Sequence, residues 1–229
     1  MESRAAHSDD LSKRAAARAA LEYVEIGQVL GVGTGSTVAH FIEELGESAV
    51  RPAAAVATSR DTAERLARAK ITVVDLAEAS RPLYLYVDGA DEVDCIGRAI
   101  KGGGGAHVRE KAVARASRVW VCIVDGNKVV ERIGSHAPVP LEVGRDALDD
   151  VMVAVEALGG EPRLRVGSPA ESGNLLVDVY RLVLADPMAV EDALESIPGV
   201  VGSGLFAHRT ADIVIVGGDD STLEVVETG

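Results

Sequence analysis

The chain has 229 residues and a formal net charge of −13, from 23 Lys and Arg against 36 Asp and Glu. That balance argues against a nucleic-acid or acidic-membrane partner, because a phosphate backbone needs a Lys/Arg footprint; it leaves room for a small phosphorylated ligand at a local site. Hydrophobic residues make up 47%, enough for a full core, but aromatics only 3%, so Val, Ala, Leu and Ile must fill it.

The length suits one large domain, or one domain with a smaller second lobe. Cys95 and Cys122 form neither a CxxC pair nor a disulfide framework, and read as reduced thiols. Met1–Asp10 is polar rather than an apolar signal core. No apolar run approaches the ~20 residues of a membrane span. A soluble, cytoplasmic protein is expected.

In chain order, Asp10 is placed as the cap of a helix running to about Ile26. Val29–Val32 reads as a strand entering Gly31-Val32-Gly33-Thr34-Gly35-Ser36-Thr37, and Val38–Leu45 as a helix. Ala53–Ala57 is a strand, Asp61–Lys70 a helix and Ile71–Val74 a strand. Leu83–Val87 is another strand, and Ala99-Ile100 reads as the end of one. Ala106–Ser117 is a helix and Arg118–Val124 a buried strand. Such alternation predicts an α/β fold with a largely parallel sheet, whose ligands bind beyond the carboxyl ends of the strands.

After about Ile133 the pattern changes. Ala137–Val143 is extended, Asp146–Leu158 helical, and Arg163–Val166 and Asn174–Tyr180 are strands. Pro187–Ile197 is a helix with Pro at its start, followed by strands Val200–Phe206 and Ile213–Val216. This predicts a compact α+β lobe, with the last strand returning to the first sheet.

Gly31–Ser36 suggests a dinucleotide fingerprint but departs from it. Ser36 takes the place of the last glycine, and the second strand ends in Thr58-Ser59 with no acid for a ribose hydroxyl. An anion cradle fits better: three glycines, three hydroxyls and a helix start fall within seven residues. The plainer alternative is a glycine turn with a helix cap.

Asp88 and Asp91 flank Gly89-Ala90, with Glu92 and Asp94 following. A capping turn explains one such acid but not the cluster. A metal site is the rival, though Lys101 would oppose a cation and only His107 lies near. Lys101 precedes Gly102-Gly103-Gly104-Gly105, the reverse of a nucleotide phosphate loop, and suits stabilisation of an oxyanion. Glu110 alone reads as a solvated helix glutamate; its nearness to the glycine loop makes it a candidate base. Lys128, after Asp125-Gly126-Asn127, shares that ambiguity, and His107 is taken as structural or peripheral.

Together these segments resemble the ribose-5-phosphate isomerase A family. The matching stretches are Gly31–Phe41, Tyr86–Asp94, Ile100–Ala112, Val124–Val129, Pro140–Val143 and Ile197–Phe206, in the family's order. The resemblance implies a Rossmann-like domain, a largely parallel sheet with helices on both faces, over residues 1–133 and 206–229. It implies a smaller α+β lobe over residues 134–205. It further implies an aldose–ketose isomerase of the pentose phosphate pathway that needs no metal or cofactor and forms homodimers or homotetramers.

Carried over residue by residue, Glu110 matches the catalytic base. Asp88, Asp91 and Lys101 match the residues around the sugar oxygens, with Gly89, Ala90, Gly102, Gly103 and Gly104 as neighbouring substrate contacts. Thr34, Gly35, Ser36 and Thr37 match the substrate-binding loop, Lys128 a substrate-contacting lysine, and Lys13 a phosphate-contacting one. His107 and Gly126-Asn127 depart from the family pattern. Two other classes stay in view: a sugar-phosphate-binding regulator, which would not need Asp88, Asp91, Lys101 and Glu110 together, and a coenzyme A transferase-like enzyme, which would need a nucleophilic glutamate.

Overall fold

The computed structural model describes residues 2–167, 170–218 and 223–228, with backbone alone for the helical residues 2–9. The expected domain ranges also include Met1, Ser168-Pro169, Asp219–Thr222 and Gly229, which lie outside the described residues.

Six strands form the main sheet: β1 (Val29–Val32), β2 (Ala54–Ala57), β3 (Leu83–Asp88), β6 (Ser117–Asp125), β12 (Ile213–Gly217) and β13 (Leu223–Glu227), in the order β13-β12-β6-β3-β1-β2. All neighbours are parallel except β12 and β13. The inner strands are apolar almost throughout, as strands covered on both faces must be. Successive side chains divide between the faces: Leu85, Val87, Val121 and Ile123 enter one cluster, Tyr86, Trp120, Cys122 and Val124 the other. The first face is covered by α1 (Glu2–Ala19) and α2 (Ser36–Glu47), which pack on each other. On the second, Val113 and Ala114 of α4 (His107–Arg115) enter the other cluster. Short α3 (Arg60–Arg68) follows β2, its start capped by Ser59.

A second sheet is antiparallel: β10 (Val200–Ser203), β7 (Val139–Val143), β9 (Leu175–Tyr180) and β8 (Glu161–Leu164). Val151 and Val155 of α5 (Leu148–Ala157) and Leu194 of α6 (Pro187–Glu195) join it in a third apolar cluster. A small third sheet joins β11 (Leu205–Phe206), β5 (Ala99–Ile100) and β4 (Glu92–Val93). Among the described residues no helix is long and apolar enough to cross a membrane.

Four expectations are corrected. Asp10 does not cap α1 but lies inside it, paired with Arg14 one turn on at 3.3 Å; the turn before it, with Ala5 and Ala6, is as favourable to helix as the turn after. The helix also tightens into a 3₁₀ turn at Ala20–Tyr23 and stops short of Ile26. Ile71–Val74 makes a single bridge, Val73 to Ala55, because Asp75 turns the chain away. Val200–Phe206 is not one strand: Gly204 lies so close to Lys101 that an added Cβ would sit 2.0 Å from its carbonyl oxygen, and the chain changes sheets there. Edge strand β13 was not expected at all. The return of Ile213–Gly217 to the first sheet, beside β6, agrees with expectation.

The order of the parallel strands puts a reversal between β1 and β3. The chain leaves β1 for β2 on one side, then crosses back to β3 on the other. Ligands of open α/β sheets bind at this crevice. Register sharpens the point: Val32 lies beside Val87, so Gly33 and Asp88 emerge together.

Candidate active site

The loop after β1 and the end of β3 close on each other. Gly33 N–H donates to Val87 O at 2.9 Å. Gly35, with φ of +122°, forms the N-cap of α2, a conformation that costs a glycine little. The first helical residues, Ser36 and Thr37, thus stand where the unpaired N–H groups and positive end of α2 are presented. Thr34 Oγ1 is 2.7 Å from Thr58 Oγ1, and Thr62 Oγ1 donates to Gly33 O at 2.7 Å.

Asp88 ends β3 and is fully buried. Its Oδ1 accepts N–H bonds from Thr34 (3.0 Å) and Gly89 (2.7 Å). Its Oδ2 accepts the Tyr86 hydroxyl and lies 2.7 Å from Lys101 Nζ. Lys101, directly after β5, donates to Gly89 O at 2.6 Å and stands 3.2 Å from Glu110 Oε2, a contact without the alignment of a hydrogen bond. Lys101 is 3% exposed and Glu110 4%, so neither is the surface side chain that its local sequence permits. The reason is the buried face of α4, which carries His107, Glu110, Lys111 and Ala114 at helical spacing.

Burial and the Asp88 carboxylate push the Glu110 pKa up to about 8, with Lys101 opposing them. Burial would lower Lys101, but Asp88 and Glu110 outweigh it and hold the ammonium above its ordinary value. Burial likewise pushes the Cys122 thiol up to about 12, so it stays neutral beside the charged cluster. The cluster therefore combines a fixed cation with a carboxyl group poised near neutrality, a pairing suited to proton abstraction beside a carbonyl.

Above this cluster opens a cavity of about 180 Å³. Thr34, Gly35, Ser36 and Thr37 line one side, Gly89, Ala90 and Asp91 another, and Lys101, Gly102, Gly103 and Gly104 a third. Glu110, Asp125, Val38, Lys13 from α1 and Lys128 from the turn after β6 complete it, so residues far apart in sequence meet here. Asp88 lies beneath rather than on the wall. Larger hollows of about 510 and 660 Å³ exist, but neither is lined by Lys101 or Glu110.

The acid cluster Asp88–Asp94 divides its duties. Asp91 lines the cavity and accepts the Gly103 N–H at 2.8 Å. Glu92 turns away and accepts N–H bonds from Gly134 (2.6 Å), Ser135 (3.2 Å), His136 and Ala137 (2.7 Å), tying down the approach to β7. Asp94 pairs with Arg98 at 2.7 Å. Glu92 and Asp94 thus belong to the packing around the cavity and not to its lining. Among the described residues no three His, Cys, Asp or Glu are grouped to hold a metal ion.

His107 is buried against Gly102, and its Nε2 lies 3.2 Å from Gly202 O. Burial lowers its pKa to about 4, which keeps the ring neutral. Sequence reasoning missed Tyr86, whose hydroxyl reaches Asp88, and Asp125, which lines the cavity at the end of β6. Asp125 carried a usable signal, its place at a strand's carboxyl end. Tyr86 read only as one more residue of the predicted strand Leu83–Val87 and of the matching stretch Tyr86–Asp94.

The family model for ribose 5-phosphate isomerase A (phosphoriboisomerase A) matches residues 54–221. A ribose-5-phosphate isomerase A of Neisseria meningitidis serogroup C is 45% identical over 93% of this chain and 95% of its own length. The crystal structure of ribose 5-phosphate isomerase A from Neisseria gonorrhoeae superposes with a TM-score of 0.93 at 43% identity, covering 96% of this chain and 98% of that one. A D-ribose-5-phosphate isomerase in complex with phospho-erythronic acid gives 0.87 at 33% identity, covering 94% and 97%.

Proposed function

This chain belongs to the ribose-5-phosphate isomerase A family and interconverts D-ribose 5-phosphate and D-ribulose 5-phosphate, and we propose that it does so through an enediolate with Glu110 as the base. The observation that carries the reading is the position of Lys101 Nζ, 2.7 Å from Asp88 and 3.2 Å from Glu110 at the base of the cavity.

The reaction begins with the open-chain aldose. Glu110 takes the proton from C2, and the electron pair moves toward the C1 carbonyl oxygen. Lys101 stabilises the resulting enediolate without a metal or cofactor. A proton passes between O2 and O1, and protonated Glu110 returns its proton to C1 to give the ketose. No net oxidant is needed, because C1 is reduced as C2 is oxidised. Asp91 and Lys101 carry the ring opening and the oxygen-to-oxygen proton movement, and Asp88, buried beneath them, takes part through Lys101.

The phosphate sits against Thr34, Gly35, Ser36 and Thr37, with Lys13 and Lys128 adding positive charge. The gathering of all six around one cavity supports this. So does the phospho-erythronic acid bound by a relative. Gly89, Ala90, Gly102, Gly103 and Gly104 let the sugar approach the backbone. Residues 1–133 and 206–229 act as the catalytic domain and 134–205 as the small lobe, consistent with the division between the parallel and the four-stranded antiparallel sheet. We place the protein in the cytoplasm as a homodimer or homotetramer, with no nucleic-acid partner, in keeping with its charge of −13.

Glu110→Gln tests the base. The change keeps size and hydrogen bonding, so KM for D-ribose 5-phosphate should hold while kcat falls ~10²-fold or more. Near-parental turnover would remove Glu110 from the mechanism.

A further inference from the structure

The glycine loop after Lys101 is held from two sides. On one side Asp91 accepts the Gly103 N–H at 2.8 Å. On the other, one guanidinium nitrogen of Arg165 donates to both Gly102 O and Gly103 O, each at 3.0 Å. The guanidinium is itself aimed. Its Nε donates to Asp178 Oδ2 at 2.9 Å, and its other terminal nitrogen to Asp178 Oδ1. Arg165 follows β8 and Asp178 lies on β9, so the pair belongs to the antiparallel sheet. Their side chains are only 18% and 15% exposed.

The geometry of the peptide unit links the two sides. A trans peptide points its N–H opposite to its C=O. Drawing Gly102 O onto Arg165 therefore sends the Gly103 N–H the other way, where Asp91 receives it. Drawing Gly103 O onto the same nitrogen turns the Gly104 N–H away from Arg165 as well, and Gly104 lines the cavity. Four successive glycines have wide conformational freedom and no side chains with which to limit it. A guanidinium locked on a carboxylate supplies a rigid, charged donor that an ammonium does not match.

We propose that Arg165, oriented by Asp178, is a positioning residue for the isomerisation: it fixes the Gly102–Gly104 backbone, and through it the Asp91 carboxylate, against the sugar. This rests on the reading that Asp91 and Lys101 act on the substrate. The side chain works from behind the loop and is not among the residues lining the cavity.

Arg165→Lys, Arg165→Ala and Asp178→Asn are assayed with D-ribose 5-phosphate beside Glu110→Gln, with thermal unfolding of each. Misplacement of reacting groups should lower kcat about tenfold to a hundredfold in Arg165→Lys, with KM changed far less and the unfolding midpoint near parental. Asp178→Asn should fall between it and the parent. Millimolar guanidinium should restore turnover to Arg165→Ala, and methylammonium should not. If Arg165→Ala does not fold, Arg165→Lys and Asp178→Asn decide the matter. Parental kcat in Arg165→Lys, or a lowered midpoint with unchanged kcat, overturns the proposal. An inactive Glu110→Gln beside a fully active Arg165→Lys would sink the positioning role alone. An active Glu110→Gln would instead strike the underlying mechanism.

Discussion

Gly33 passes so close to Asp88 that a Cβ added to the glycine would lie 1.8 Å from the Asp88 carboxyl carbon. The loop proposed to cradle the phosphate and the carboxylate that holds Lys101 are therefore one packed unit. The next residue, Thr34, reinforces it by donating its N–H to Asp88 Oδ1 at 3.0 Å.

Gly33→Ala must displace Asp88, because both groups lie in tight surroundings. Overpacking of this kind costs about 1–3 kcal/mol. Moving Asp88 also moves Lys101, so turnover should fall ~10²-fold. Urea unfolding and steady-state kinetics on the same preparation check both effects. Parental kcat in this variant would show that Asp88 can shift without consequence.

The pH dependence follows from Glu110. As the proposed base, Glu110 works only when ionised, so kcat/KM should climb with pH through an ionisation raised from 4.5 to about 8. Lys101 is held above its ordinary 10.5, so no alkaline fall from its deprotonation is expected below that value. A profile already level below about pH 6 would contradict the assignment.

The same shift acts on stability with a definite sign. Folding raises the Glu110 pKa, so the folded state binds that proton more tightly than the unfolded chain. Its stabilisation is complete below 4.5 and is lost as pH rises through about 8. Glu110→Gln should remove this component, and its urea midpoint should decline less over that interval than the parent's. Parallel curves would mean that Glu110 is ionised in the folded enzyme throughout.

Ser36→Asp places a negative charge at the start of α2, where the phosphate is proposed to sit. KM for D-ribose 5-phosphate should rise strongly. Free ribose, which lacks the phosphate, should be turned over with a far lower kcat/KM, since remote binding energy helps position the reacting carbons. Equal specificity constants for the two sugars, or unchanged KM in Ser36→Asp, would place the phosphate elsewhere.

Exhaustive chelation should leave activity intact, because in the proposed mechanism Lys101 supplies the positive charge that a metal would otherwise provide. Dialysis against EDTA followed by assay checks this. Loss of activity that a divalent metal restores would overturn it.

The alternation of apolar runs with helical stretches determined the α/β class, and the polar motifs at strand ends marked the crevice. Both signals are local, with periods of two and 3.6 residues, and survive without knowledge of contacts. Gly31–Thr37, Asp88–Asp91, Lys101–Gly105 and Glu110 stood out as candidates by residue type, clustering and resemblance to the family, which need no contacts either. The resemblance singled out Asp88 and Asp91 among the acids of Asp88–Asp94; the tertiary structure alone showed what the other two do, Glu92 tying down Gly134–Ala137 and Asp94 pairing with Arg98. It alone buried Glu110 and Lys101, and so moved the Glu110 pKa. It alone broke Val200–Phe206 at Gly204 and brought Arg165 onto a loop more than sixty residues earlier in the chain. Ionisation and orientation depend on desolvation and on partners distant in sequence, and these exist only once the sheets have packed.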